Sequence, residues 1–151
     1  INESRITVPI NIVLGKNAPH INRVQQQIES VQYQSRLFTD TENMATLMSE
    51  ADLAVGAGGV SHWERCCLGL PTLAITIADN QLMNNSNLSI CRAIKHLGHH
   101  TNLNKQTIKR TICEFFSDTE RVKLMSHVAR AICDGRGRTR VMLALTGRKY
   151  S

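Results

Sequence analysis

The chain has 151 residues, 42% of them hydrophobic and 20% charged, with a formal net charge of +6. That is enough for one ordinary domain with a sizeable core, and it argues against a disordered chain. No apolar run approaches the ~20 residues that cross a bilayer.

Residues 1–5 are expected to be a linker remnant, because Ile1 is not an initiator methionine and the domain reads as cut from a longer chain. Ile6 to Leu14 is β-branched and ends at Gly15, which predicts a strand; Pro9 delays its pairing. The loop Gly15–His20 leads into a helix starting near Pro19, with Ile21, Val24, Gln25 and Ile28 at helical spacing to about Ser30. Lys16 and His20 have the reach for a phosphate or sugar, against the plainer reading of a solvent-facing lysine and a helix-start histidine. Val31 to Phe38 supplies a second extended segment. Asp40 or Thr41 is expected to cap a helix whose Met44, Leu47 and Met48 face inward as core.

The central stretch runs from Asp52 to Pro71. Leu53-Ala54-Val55 reads as a strand covered on both faces, and a helix then ends at Gly69. Between them, Gly56, Gly58 and Gly59 permit backbone angles closed to other residues. The first amides of the following helix have no partner within it and sit at the positive end of its dipole. Strand, glycine turn and bare helix start together make an anion site, most often for phosphate. Glu64, about one and a half turns on, could accept two neighbouring hydroxyls of a ribose, which suggests a nucleotide diphosphate. An ordinary α/β turn and a solvated helix carboxylate are the alternatives, since neither the dinucleotide fingerprint nor the P-loop is present.

Pro71 to Ile77 predicts another strand, with Ala78-Asp79-Asn80-Gln81 as its trailing loop and Asn80 as a helix cap. A polar helix with Leu82, Leu88, Ile90, Ala93, Ile94 and Leu97 is expected to stop at Gly98. Residues 99–103 read as a short last strand or loop, placing His99 and His100 on opposite faces and so not on one metal. Helices follow over Lys105–Phe116 and, capped by Asp118, Thr119–Cys133; Gly135 and Gly137 precede a last one, Arg138 to Leu145. The alternation predicts an α/β fold of three layers, a Rossmann-like parallel sheet with helices on both faces. The loops 15–20, 38–41, 56–61 and 78–81 would then share the carboxyl-end rim, where ligands bind.

Five cysteines without a CxxC pair read as reduced thiols of a cytoplasmic protein, most of them small buried hydrophobes, and no metal or cofactor is implied. Residues 1–100 carry 7 Lys/Arg against 8 Asp/Glu, and residues 101–151 carry 11 against 4. The basic excess is therefore C-terminal, through Arg136, Arg138, Arg140, Arg148 and Lys149. At 4% aromatic content no base-stacking platform is evident, and a solvated basic surface is favoured over nucleic acid or an acidic membrane.

The run Ala-Gly-Gly-Val-Ser-His-Trp-Glu-Arg-Cys-Cys-Leu-Gly-Leu-Pro, residues 57–71, resembles the signature of the UDP-sugar hydrolases of pseudaminic acid biosynthesis. Those enzymes are similar in turn to the UDP-N-acetylglucosamine transferase of lipid II synthesis. Ile12-Val13-Leu14-Gly15 with Pro19-His20, Phe38-Thr39-Asp40 with Asn43-Met44, and Asp79-Asn80-Gln81 extend the resemblance over most of residues 6–98. It implies the C-terminal half of a two-domain GT-B fold, with the N-terminal domain as its partner. It further implies that Gly15 lies in a loop facing the interdomain cleft, that Phe38 and Thr39 hold uracil, and that Asn80 and Gln81 touch the donor sugar or its phosphate.

On this reading Gly58, Gly59, Val60 and Ser61 meet the diphosphate and Glu64 the ribose. His62, where the family often has a small polar residue, either adds a cation or covers the helix start. Trp63 is expected to be packing. Expelling UDP from a sugar needs a base and groups that stabilise the developing diphosphate charge. The chain supplies the second; the resemblance puts the histidine base in the N-terminal domain, so no catalytic residue is expected here. The primary expectation is the nucleotide-binding half of a UDP-sugar hydrolase. The alternatives are the donor-binding domain of a GT-B glycosyltransferase, and a non-catalytic basic module binding nucleic acid or acidic membrane.

Overall fold

The computed structural model describes residues 8–30 and 34–147. Strands and helices alternate through the first two thirds of the chain. β1 (Ile10–Leu14), α1 (Ile21–Glu29), β2 (Ser35–Thr39), α2 (Met44–Ser49), β3 (Ala54–Ala57), α3 (Ser61–Leu68), β4 (Thr72–Thr76), α4 (Leu82–Ile90) and β5 (Lys95–His99) lead into α5 (Lys105–Ser117), α6 (Thr119–Ile132) and α7 (Gly137–Thr146). All pairings are parallel, which yields the expected α/β, Rossmann-like class. β1 starts directly after Pro9, the residue that cannot donate to a ladder.

The single sheet of the expectation is instead two: β1–β2, and β3–β4–β5. The core gathers on β4, the central strand of the larger sheet. Leu73 and Ala74, both fully buried, point to opposite faces and seed two clusters. Ala74 packs with Cys66, Leu88, Ala93, Ile94 and Ala129, and Leu73 with Ile112, Phe115 and Met125. α6 contributes to both.

Several boundaries move for identifiable reasons. α4 ends at Ile90 rather than reaching Gly98, because Arg92 adopts a left-handed φ of 63°. There Ala93 N–H donates to Leu88 O and Arg92 N–H to Ser89 O, a Schellman stop with arginine in the usual glycine place. Gly98 lies inside β5 at φ 113°, where the register with β4 slips by one residue. β5 thus occupies Lys95–His99 and overlaps the expected 99–103 only at His99, and Asn43, not Asp40 or Thr41, takes the N-cap position of α2. α1 begins at Ile21, two residues after Pro19.

Met44, Leu47 and Met48 are half-buried rather than core. Of the cysteines, Cys66 alone is buried, with Cys113 and Cys133 half-buried and Cys67 and Cys91 exposed; burial pushes the Cys66 thiol up to about 11. The expected linker at 1–5, the strand start at Ile6, residues 31–33, Arg148 and Lys149 lie outside the described residues. Among those described, no helix is long and apolar enough to cross a membrane.

Candidate functional site

β3 runs two residues further than its apolar triplet, through Gly56 and Ala57, before Gly58–Val60 turn the chain into α3. Gly59, at φ 111°, needs its missing Cβ. No side chain caps α3. The His62 and Trp63 amides turn back onto the Gly59 and Val60 carbonyls at 3.1 and 3.0 Å, and the Gly58 amide donates to Ile75 O at 3.2 Å. The amides of Gly59, Val60 and Ser61 have no acceptor among the described residues. Val60 is 78% exposed, so the turn is open to solvent. Three consecutive N–H groups are thus unpaired among the described residues at the positive end of the α3 dipole.

Gln81, in a 3₁₀ turn over Asp79–Gln81, accepts the Ile77 amide on Oε1 at 3.1 Å. Its Nε2 lies 3.9 Å from where a Gly59 Cβ would stand, so the structure brings Gln81 to the turn. Asn80 is exposed and caps nothing, since Ala78 and Gln81 hold the cap positions of the 3₁₀ turn and of α4. Glu64 is exposed in the first turn of α3, with neither hydrogen bond nor ion pair among the described residues.

Gly15, Phe38 and Thr39 form a separate group. Phe38 and Thr39 close β2, in register with Val13 and Leu14, and Gly15 follows directly. Lys16 reaches Asp40 at 4.0 Å across the two trailing loops. No hydrogen bond or ion pair joins this group to the glycine turn among the described residues. His20 lines a separate surface cavity of about 560 Å³ at the start of α1.

His62 departs from one of its two expected roles. It is 1% exposed, and its ring faces inward, with Nε2 2.6 Å from Asn85 Oδ1. Asn85 Nδ2 donates to Thr76 Oγ1 at 2.7 Å, and Thr76 Oγ1 lies 2.8 Å from His96 Nε2. Since Asn85 Oδ1 accepts, His62 Nε2 carries its proton, and Nδ1 is left buried without a partner among the described residues. Burial holds His62 below the ordinary histidine range against the Asn85 bond, with Arg65 and His96 adding to the depression. A neutral buried ring adds no cation to the turn; it backs the helix start.

Arg65 is also buried, donating from Nη2 to Ala57 O at 3.0 Å while Nη1 finds no partner among the described residues. Trp63, expected to be packing, is 43% exposed. His99 and His100 do not face apart: His100 begins a 3₁₀ turn and the rings lie 4.6 Å apart, with His99 Nδ1 taken by Thr101.

The description "Glycosyltransferase family 28 C-terminal domain" matches residues 2–132. The chain belongs to this family. Spore coat polysaccharide biosynthesis protein SpsG of Bacillus subtilis (strain 168) is 29% identical over 133 residues, covering 88% of this chain and 39% of that protein. The UDP-N-acetylglucosamine–N-acetylmuramyl-(pentapeptide) pyrophosphoryl-undecaprenol N-acetylglucosamine transferase of Sulfurovum sp. (strain NBC37-1) is 32% identical over 80 residues, half of this chain and 24% of that one. The chain thus spans well under half the length of either relative. Among solved structures, Acinetobacter baumannii MurG superposes with a TM-score of 0.75 at 17% identity, over 97% of this chain and 43% of that one. The glycotransferase of kitacinnamycin gives 0.59 at 14% identity, over 92% and 43%. These superpositions support the GT-B half-fold. The comparisons favour the transferase alternative over the hydrolase expectation.

Proposed function

We propose that this chain is the donor-binding half of a GT-B glycosyltransferase and that it holds a UDP-sugar by its nucleotide. The observation that carries the reading is the set of unpaired Gly59, Val60 and Ser61 amides at the uncapped start of α3. A diphosphate satisfies those donors and the dipole together. Glu64 offers the ribose diol an exposed carboxylate that makes no hydrogen bond or ion pair among the described residues, and Gln81 presents its amide beside the turn. Gly15, Phe38 and Thr39 would complete the rim on the base side, and Asn80 would face the sugar. The acceptor site and the general base belong to an N-terminal domain outside this sequence.

The hydrolytic reading rests on one feature, the Trp63–Pro71 block, and differs in using water in place of an acceptor. Assay of a full two-domain protein separates them: release of free sugar without an acceptor marks hydrolysis. Salt-sensitive binding to RNA or anionic vesicles, with no response to UDP, would instead favour the basic-module reading.

Calorimetric titration of the 151-residue chain with UDP, UMP, ADP and inorganic diphosphate tests the proposal. UDP should bind, weakly and more tightly than UMP or ADP, with no turnover. Glu64→Ala should weaken UDP about tenfold or more while sparing inorganic diphosphate, because only the ribose contact is lost. Equal losses for both ligands would make Glu64 a structural residue.

A further inference from the structure

Gly58 is constrained from behind. A Cβ there would stand 2.5 Å from Asn85 Oδ1 and 2.9 Å from Nδ2, too close without displacement. Gly58 does not share the positive φ of Gly59, so its constraint is one of space. Asn85 has little freedom to yield. It is fully buried, and its amide bridges His62, on the first turn of α3, and Thr76, the last residue of β4. Thr76 is tied in turn to His96 of β5. One side chain from α4 therefore locks the glycine turn to the helix it starts and to the two strands beside it.

We propose that Asn85 is a positioning residue for the anion site: it fixes the Gly58 backbone and so aims the Gly59–Ser61 amides. The proposal rests on reading that turn as the diphosphate site. Asn85 itself touches no ligand, because its oxygen and both its neighbours are buried behind the turn. Hydrogen bonds to a charged diphosphate depend on donor direction, so a turn free to tilt forfeits much of its affinity.

The test is a double-mutant cycle on the 151-residue chain, titrated with inorganic diphosphate and with UDP, with helix content followed by circular dichroism. Asn85→Ala and Gly58→Ala should each weaken both ligands about tenfold in folded protein. Because the alanine methyl at 58 occupies the space that Asn85 vacates, the double variant should bind no more weakly than Asn85→Ala alone. Losses that multiply in the double variant, or a folded Asn85→Ala with wild-type affinity, overturn the positioning role while leaving the site intact. Wild-type chain that binds neither ligand overturns the reading of the turn, and the positioning role with it. Should Asn85→Ala fail to fold, Thr76→Val removes the hydroxyl that Asn85 donates to at nearly constant volume. A loss of about threefold supports the column, and an unchanged affinity overturns it.

Discussion

Gly59 carries the conformation on which the turn depends. At φ 111° an L-residue is strained by about 1–3 kcal/mol, and relief of that strain would redirect the amides beside it. Gly59→Ala is therefore expected to lower stability by that amount in chemical denaturation and to weaken diphosphate by at least about tenfold. His62 makes a second prediction. Its folded pKa lies below the ordinary 6.5 because burial penalises the cation. Above 6.5 both states are neutral and stability is full; as pH falls through 6.5 the unfolded chain takes up a proton that the folded chain resists, and stability declines. Denaturation at about pH 7.5 and about pH 5.5 should show a larger drop for wild type than for His62→Gln, which cannot titrate. Equal drops would place the acid sensitivity elsewhere, His96 included. The turn was legible in the sequence because a backbone demand is written locally, as glycine. The column behind it was not: His62 and Asn85 are 23 residues apart, and a polar residue on a polar-looking helix gives no sign that it is buried.

Helix ends show the same division. α3 stops at Gly69, left-handed at φ 65°, with Leu70 N–H on Arg65 O and Gly69 N–H on Cys66 O. Arg130 adds Nε and Nη2 bonds to Leu68 O at 3.3 and 3.2 Å, a cation at the negative end of the helix. That stop was readable because glycine marks it. The end of α4 was hidden because Arg92 fills the equivalent place, while Ile94 and Leu97 continue an apolar spacing that belongs instead to the segment leading into β5 and to β5 itself. Arg92 thus carries avoidable backbone strain. Arg92→Gly should stabilise the protein by about 1 kcal/mol, read as a shift in denaturation midpoint at constant slope; destabilisation would show that the arginine side chain contributes more than its backbone costs.

At the scale of the molecule, burial is uneven. No residue of β1, α1, β2 or α2 is buried, whereas β4, the helices α3 to α6 and the segments that flank β4 and β5 (Leu70, Ala93, Ile94) hold the described core. The βα alternation was enough to predict parallel strands and trailing loops on a rim. It could not show that hydrogen bonding divides the strands into two sheets, since pairing partners are set by packing and not by the local sequence of a strand. The division also sorts the candidate site: the glycine turn and Gln81 belong to the β3–β4 edge, and Gly15, Phe38 and Thr39 to the β1–β2 edge. A nucleotide spanning both would join them, with the diphosphate on the first and the base on the second.

The most direct measurement is a titration of ¹⁵N-labelled chain with UDP, followed by amide resonances. The Gly59, Val60 and Ser61 amides are expected to move first and farthest, in the direction of new hydrogen bonds, with Thr39 following and α7 unmoved. Shifts centred instead on the cavity of about 650 Å³ between Ser89 and Met125, with the three turn amides stationary at saturation, would contradict this expectation.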